Sequence, residues 1–120
     1  MAEHNDFGKA GEEMAVQYLR SQGYEILETN WRFGSDEVDI VAKENDIIVI
    51  AEVKTRRSDY FGEPETFVNK KKQQFLIRAA NNYAEKYNID NEFRFDIVSV
   101  LFNSKQKSIN IIKDAFAPGM

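Results

Sequence analysis

The sequence contains no cysteine and only one histidine among its 120 residues. A disulfide framework, a thiolate metal site and a cysteine nucleophile are therefore excluded. No apolar run approaches the roughly 20 residues that a membrane-spanning helix needs, and residues 1–6 have neither the basic nor the apolar segment of a signal peptide. We therefore expect one domain spanning residues 1–120, cytoplasmic and without a membrane partner.

Basic residues are also in deficit, since 16 Lys and Arg stand against 20 Asp and Glu and give a net charge of −4. A protein that coats nucleic acid without specificity is usually basic, so the charge argues against that class. A nuclease is not excluded, because it needs only a local basic surface and its metal ion neutralises part of the carboxylate charge.

A β-hairpin is the clearest pattern that the sequence does contain. Residues 37–44 and 47–56 are rich in Val and Ile, and Asn45-Asp46 between them favours a turn. A two-residue loop would place Asp39 opposite Glu52 and Glu37 opposite Lys54. Because side chains alternate along a strand, these four polar residues would share one face. The other face would be apolar throughout, formed by Val38, Ile40, Ala42, Val49, Ala51 and Val53.

The predicted pair of Asp39 and Glu52 raises an electrostatic question. Directly opposite residues have Cβ atoms about 5 Å apart, and two carboxylates at that distance repel unless a proton or a cation lies between them. Mg²⁺ prefers oxygen ligands and usually takes one or two carboxylates. Lys54 would lie on the same face, within reach of a nucleophilic water or a phosphate. The alternative is a solvent-facing surface on which Glu37 and Lys54 form an ordinary ion pair.

The rest of the chain predicts helices and further strands around this hairpin. Helix 7–22 would be capped by Asn5 or Asp6 and ended by Gly23, and helix 70–87 would be capped by Asn69. Strands are predicted at 24–29, 92–102 and 108–113, with a turn at 34–36 and a tail at 115–120. This order indicates an α/β or α+β fold in which helices pack on a mixed central sheet that ends in a C-terminal hairpin.

Charged residues on the two predicted helices have two interpretations each. Glu12 lies at the margin of an apolar stripe, so it either extends to water or has a partner inside. The run Lys70–Lys72 lies in a first helical turn, where cations are unfavourable. It either holds phosphate or is an ordinary solvated charge run.

A set of short motifs in a fixed order resembles the YraN-like family of bacterial proteins. The motifs are Gly11-Glu12, Asn30-Trp31-Arg32, Glu37-Val38-Asp39, Glu52-Val53-Lys54-Thr55-Arg56, Phe61-Gly62, a lysine near residue 72, and Arg94-Phe95-Asp96. That family is placed in the restriction-endonuclease-like, PD-(D/E)XK nuclease superfamily, beside archaeal Holliday-junction resolvases. The superfamily's proline before the hairpin Asp is Val38 here.

The resemblance implies an α-β-β-β-α-β core, covering about residues 7–101, and a catalytic set. Glu12, Asp39, Glu52 and Lys54 match the catalytic positions, and Mg²⁺, or Mn²⁺ in its place, would be held by Asp39, Glu52 and the carbonyl of Val53. We expect nucleic acid to be contacted by Arg32, Arg56, Arg57, Lys71 and Lys72.

The expected function is metal-dependent hydrolysis of phosphodiester bonds in DNA, with branched or structured DNA as the substrate that the resemblance implies. One alternative is a non-catalytic nucleic-acid-binding module that retains the nuclease fold. Another is a protein-interaction domain, indicated by the acidic charge and by Tyr60 and Phe61. A homodimer would suit the cutting of two strands, although no residue indicates one.

Overall fold

The computed structural model describes residues 2–34, 36–57 and 68–118. Its elements are α1 (Ala2–Ser21), β1 (Glu25–Phe33), β2 (Asp36–Glu44), β3 (Ile47–Arg56), α2 (Lys70–Tyr87), β4 (Phe93–Phe102) and β5 (Lys107–Phe116). This order confirms the predicted fold class. The motif Phe61-Gly62 and the aromatic Tyr60 lie outside the described residues.

The five strands form one mixed sheet in the order β1-β2-β3-β4-β5. Only β3 and β4 run parallel, and α2 lies in the crossover between them, as a parallel pair requires. β5 returns antiparallel beside β4, with Phe102 paired to Lys107. The predicted C-terminal hairpin is therefore confirmed as the edge of the same sheet.

The two helices cover opposite faces of the sheet, so both faces carry apolar cores. The α1 side contains Ala15, Leu19, Ile40, Ala42, Val49, Ala51, Val98 and Val100. The α2 side contains Val41, Ile48, Ile50, Phe75, Leu76, Ala79, Ala80, Tyr83 and Phe95. A strand buried on both faces is expected to be continuously apolar, which accounts for the run from Ile47 to Ala51.

The helix ends follow local chemistry with one exception. Helix α1 already begins at Ala2, so Asn5 and Asp6 lie inside it and do not cap it. Its end is the predicted one, because Gly23 has a φ of 93° and the Tyr24 N–H donates to the Leu19 carbonyl at 3.0 Å. For α2 the prediction is confirmed, since the Asn69 side chain accepts the Lys72 N–H at 2.8 Å.

Two strands are longer than predicted, because their extra residues gain tertiary partners. β1 continues through Phe33 and pairs with β2 over that length. β5 continues to Phe116, a residue predicted to lie in a tail, which is buried and stacks on Phe95 with ring centroids 4.9 Å apart. No helix among the described residues is both long and apolar enough to cross a lipid bilayer.

Candidate functional site

The β2–β3 hairpin has the predicted register from Glu44↔Ile47 to Ile40↔Ala51. One step further, the Val53 N–H donates to Asp39 Oδ2 at 2.8 Å. Where two strands pair regularly, a backbone N–H donates to a backbone carbonyl. Here it donates to a side-chain oxygen of β2 instead. The Asp39 carboxylate therefore lies between the two strands at the point where their pairing ends.

The alternation of side chains along β2 is broken at this point. Val38 packs in the α2-side core, whereas Ile40 packs in the α1-side core. In a regular strand these two residues would share a face, so the prediction that they do is wrong. The neighbouring strand is also irregular at the same level, because Asn30 of β1 has a φ of 50°. Both strands thus depart from regular geometry beside Asp39.

Glu52 of β3 approaches the site together with a lysine from α2. Lys72 Nζ lies 3.6 Å from Glu52 Oε1, a distance too long for a hydrogen bond. That oxygen is buried and accepts no hydrogen bond from the residues that the structure describes. Burying a charged oxygen without a hydrogen bond is costly. The position therefore favours an additional donor or a cation.

Glu12 of α1 reaches the same region from the opposite side of the sheet. Asn30 Nδ2 donates to Glu12 Oε1 at 2.9 Å. Glu12, Asn30 and Asp39 together line a cleft of about 300 Å³ between α1 and the β1–β2 pair. The adjacent Gly11 permits this approach, because a Cβ at that position would overlap the side chain of Thr55 on β3.

These groups interact electrostatically, and their interaction shifts the pKa of Asp39. Burial raises the pKa of Asp39 from its ordinary 3.8 to about 7, and the charge of Glu52 adds to the rise. The hydrogen bond from Val53 opposes the rise, Glu12 increases it further, and Lys72 lowers it. Three carboxylates and one lysine therefore act as one electrostatic unit, although they come from four different elements.

The donor set suits a hard divalent cation that keeps part of its water. Within the described ranges, no three His, Cys, Asp or Glu side chains are grouped closely enough to hold a metal ion by themselves. Two carboxylates are nevertheless the usual protein share of Mg²⁺ ligands, with water completing the shell. Asp39 and Glu52 could supply those two, and the Val53 carbonyl a third oxygen. The unsatisfied Glu52 Oε1 is the observation that favours this fit.

The remaining predicted catalytic residue, Lys54, follows Glu52 on β3 and pairs with Ser99 of β4. Strand alternation places it on the same face as Glu52. Its predicted partner, Glu37, is engaged elsewhere, because the longer β1 brings Arg32 opposite it and Arg32 Nη2 lies 3.3 Å from Glu37 Oε2. Glu37 is thus paired with Arg32, and its predicted ion pair with Lys54 stays a prediction.

The residues predicted to contact nucleic acid are spread over several surfaces. Lys72 faces the carboxylates, while Lys71 beside it is exposed. Arg56 Nη2 approaches Ser99 Oγ at 3.5 Å. The Arg57 guanidinium lies 4.1 Å from the centre of the Phe7 ring, on the α1 side. Arg32 is bound to Glu37 at the β1–β2 edge.

A second polar cluster, buried except for the exposed Lys113, was not predicted. Its members are Tyr24, Glu44, Arg94, Asp96 and Lys113, joined by hydrogen bonds and ion pairs of 2.8–3.2 Å. A signal was present in the sequence, because Arg94 and Asp96 are two residues apart in an otherwise apolar strand and so share a face. Buried charges are almost always paired. Asn30 was also given no role, although Asn is among the few residues that tolerate a positive φ.

These features define a class of protein: a five-stranded mixed sheet between two helices, with an acidic site where two central strands separate. The model of the uncharacterised protein family UPF0102 matches residues 11–100, and the chain belongs to that family. It is 50% identical over 116 residues to a UPF0102 protein of Christiangramia forsetii, covering 97% of this chain and 98% of the relative. A UPF0102 protein of Bacteroides thetaiotaomicron is 47% identical over 118 residues, with 98% of each chain covered.

Proposed function

We propose that this protein is a metal-dependent phosphodiesterase, an endonuclease whose preferred substrate is DNA. The observation that carries the proposal is the pair Asp39 and Glu52. Their carboxylates interact where β2 and β3 part, and one buried oxygen has no hydrogen bond within the described residues. A site that holds like charges together without satisfying them is suited to a cation.

Hydrolysis of a phosphodiester requires an activated water and neutralisation of charge on the phosphate. Bound Mg²⁺ or Mn²⁺ would supply Lewis acidity and a lowered pKa for a water ligand. Asp39, Glu52 and the Val53 carbonyl would hold the ion in place. Lys54, on the face of Glu52, would orient the water or neutralise a phosphate oxygen.

Glu12 and Lys72 would adjust the charge of this site from its two sides. Glu12 lines the cleft with Asp39 and would accept a hydrogen bond from a water in it. Lys72 offsets the carboxylate charge at 3.6 Å from Glu52. With a divalent ion present, the Lys72 ammonium would be released from that role and could contact phosphate.

The resemblance to the PD-(D/E)XK nucleases supports the same reaction. The four catalytic positions that it implies are Glu12, Asp39, Glu52 and Lys54, and in this chain Asp39 is electrostatically coupled to both Glu12 and Glu52. The preference for branched or structured DNA rests on the likeness to junction resolvases alone, because a fold does not determine a substrate.

The test is a cleavage screen with junction, flap, duplex and single-stranded DNA in Mg²⁺ and in Mn²⁺. We expect wild-type cleavage of at least one substrate and a loss of several orders of magnitude in Glu52→Gln, since the metal supplies several kcal/mol of transition-state stabilisation. Glu85→Gln, an exposed site on α2, is the matched control and should cleave normally.

A second measurement needs no substrate. A metal that binds only the folded state raises its melting temperature, so Mn²⁺ should stabilise the wild type and Glu85→Gln but not Glu52→Gln. A wild type that neither cleaves any substrate nor responds to Mn²⁺ would contradict the proposal.

The second candidate function is a nucleic-acid-binding module without catalysis, favoured by the position of Lys72 beside Glu52. In that case the lysine is a permanent counterion and no metal is needed. The two functions differ in one result: a pure binder would bind DNA with the usual dependence on salt and show no thermal response to Mn²⁺. Lys71→Ala with Lys72→Ala should then weaken binding similarly for all sequences and flatten the salt dependence.

A further inference from the structure

We propose that Asn30 is a positioning residue of this site, which holds the Glu12 carboxylate beside the Asp39–Glu52 pair so that a divalent cation binds tightly. The inference rests on the proposed function and extends it to a residue that has no role in it so far. Three observations carry it: the hydrogen bond to Glu12, the backbone conformation of Asn30, and its place opposite Asp39.

The hydrogen bond joins two consecutive elements of the chain, α1 and β1. Asn30 Nδ2 donates to Glu12 Oε1 at 2.9 Å, which links β1 to α1. A bond to an ionised acceptor is stronger than one between neutral groups. It engages Oε1, and a carboxylate has further lone pairs on its second oxygen. Glu12 can therefore be held by Asn30 and still accept a hydrogen bond from a water on a bound ion.

The backbone at Asn30 is in the left-handed region, with a φ of 50°. This conformation costs a non-glycine residue roughly 1–2 kcal/mol, and Asn is among the residues that visit it most readily. The adjacent Trp31 is anchored on the α2 side by an edge-to-face contact with Tyr83, with centroids 5.2 Å apart. The side chain of Asn30 faces the other side of the sheet and donates a hydrogen bond to α1 there.

The strand register places Asn30 at the level of the site. Thr29 pairs with Ile40 and Trp31 pairs with Val38, so the residue between them lies across from Asp39. Asn30, Asp39 and Glu12 also line the same cleft. Asn30 thus adjoins one carboxylate of the site through the sheet and holds another through a hydrogen bond.

Loss of the Asn30 amide should therefore act through Glu12. A freed glutamate regains rotamer freedom and its charge moves toward water. Residues that orient a ligand or a metal-bound water typically contribute about 10–100-fold to metal affinity. A lower affinity for Mn²⁺ without a loss of fold is the expected signature of a positioning residue.

The test uses Asn30→Gly, which removes the amide and keeps a residue that adopts a positive φ without strain. The matched control is Asn45→Gly in the β2–β3 turn, where the φ is 57° and the side chain is exposed. Mn²⁺ titration calorimetry should show about a 10-fold or greater loss of affinity for Asn30→Gly and none for Asn45→Gly. Asn30→Gly combined with Glu12→Ala should bind no more weakly than Glu12→Ala alone, because Asn30 acts through Glu12.

A second measurement requires neither metal nor the Asn30 variant. In Glu12→Ala the side-chain amide resonances of Asn30 should shift in an ¹⁵N–¹H spectrum, since their acceptor is gone. Unchanged resonances would overturn the inference, as would Asn30→Gly binding Mn²⁺ like the wild type, or additive losses in the double variant. A wild type that binds no Mn²⁺ would instead overturn the proposed function, and the metal-positioning role of Asn30 with it.

Discussion

Asp39 and Asp96 are aspartates of the same sheet. Asp39 is partly buried and Asp96 fully buried, and their surroundings differ. Asp96 receives hydrogen bonds from Arg94 Nε and Nη2 at 2.8 Å each, from the Asp114 N–H at 3.0 Å and from the Tyr24 hydroxyl at 3.2 Å. Asp39 receives one from the Val53 N–H and faces the like charge of Glu52. The first carboxylate is satisfied by the fold itself, whereas the second favours a partner that the described residues do not supply.

The charges around Asp96 also alternate in sign, which closes that cluster. Arg94 bridges Asp96 to Glu44, and Lys113 pairs with the other oxygen of Glu44 at 2.9 Å. Burial pulls the pKa of Glu44 upward, but the hydrogen bonds from Lys113 and Arg94 outweigh it and the pKa is lowered. Around Asp39 the acids outnumber the cation, because Glu12 and Glu52 face only Lys72 among the groups that shift its pKa. We therefore expect the first cluster to stabilise the fold, and the second is the one at which we propose that a cation binds.

The largest expected effect is the difference in unfolding free energy when the same substitution, Asp to Asn, is made at each of the two positions. Asp96→Asn places an amide N–H₂ against Arg94 and removes the Asp96 charge from a buried guanidinium that also pairs with Glu44, so it should cost up to about 3–5 kcal/mol of unfolding free energy. Asp39→Asn removes a repulsion and should be neutral or stabilising at pH 8. Urea unfolding of both variants measures the difference. A loss at Asp39 as large as that at Asp96 would remove the distinction between the clusters.

The second prediction concerns pH. Folded Asp39 has a pKa of about 7 against an ordinary 3.8, so the folded state binds this proton more tightly than the unfolded state. The stability of the wild type should therefore fall as pH rises through the window from about 4 to 7, with an upper bound of about 4 kcal/mol that partial exposure reduces.

The control for the pH effect is Asp39→Asn, which lacks the titrating group. The free energy of unfolding of the wild type minus that of Asp39→Asn, measured in urea at intervals from pH 4 to pH 8, should decrease and then level off above pH 7. A difference that stays flat over this range would mean that Asp39 is ionised in both states.

The third prediction tests the close approach of α1 that brings Glu12 to the Asp39 side. Gly11→Ala would force a methyl group into Thr55 and should cost about 1–3 kcal/mol. Gly8→Ala is the control in the same helix, because its Cβ would meet nothing within 4 Å and should stabilise by about 0.5–1 kcal/mol. Equal melting temperatures for the two variants would mean that α1 packs less closely than described.

Local rules predicted those parts of the fold that depend on neighbours in sequence. The turn at Asn45, the β2–β3 register and the Asn69 cap each follow from a few adjacent residues, and each is confirmed. The extension of β1 past Asn30 and the burial of Phe116 were missed, because a strand is as long as its partners allow. Neither Arg32 opposite Glu37 nor Phe116 on Phe95 has a signal within its own segment.

The candidate site likewise has features that neighbours in sequence predict and features that depend on other elements. Adjacency of Asp39 and Glu52 on neighbouring strands follows from the hairpin alone. The break of alternation between Val38 and Ile40 does not, because it accompanies the positive φ of Asn30 on another strand. The contact of Lys72 with Glu52 depends on how α2 crosses the sheet, which no periodicity in the helix encodes.

The smallest expected effect concerns Lys72, whose charge lowers the pKa of Asp39. Lys72 and Lys71 are neighbours in the first turn of α2, so Lys→Gln at either relieves the same unfavourable interaction with the helix dipole. Only Lys72 faces Glu52, at 3.6 Å and with 36% of its side chain exposed. Exposed pairs of this kind contribute up to about 1 kcal/mol, so Lys72→Gln should be less stable than Lys71→Gln by no more than that.

A double variant and salt identify the source of that difference. The gap between Lys72→Gln and Lys71→Gln should close in a Glu52→Gln background, since the carboxylate charge is then absent. It should also shrink as ionic strength rises, because half-exposed charges are screened. If the gap persists in the Glu52→Gln background, Lys72 stabilises α2 through its packing over Phe75, with Nζ 5.2 Å from the ring centre. Lys72 would then not neutralise Glu52, and the case for a cation bound beside that carboxylate would be stronger.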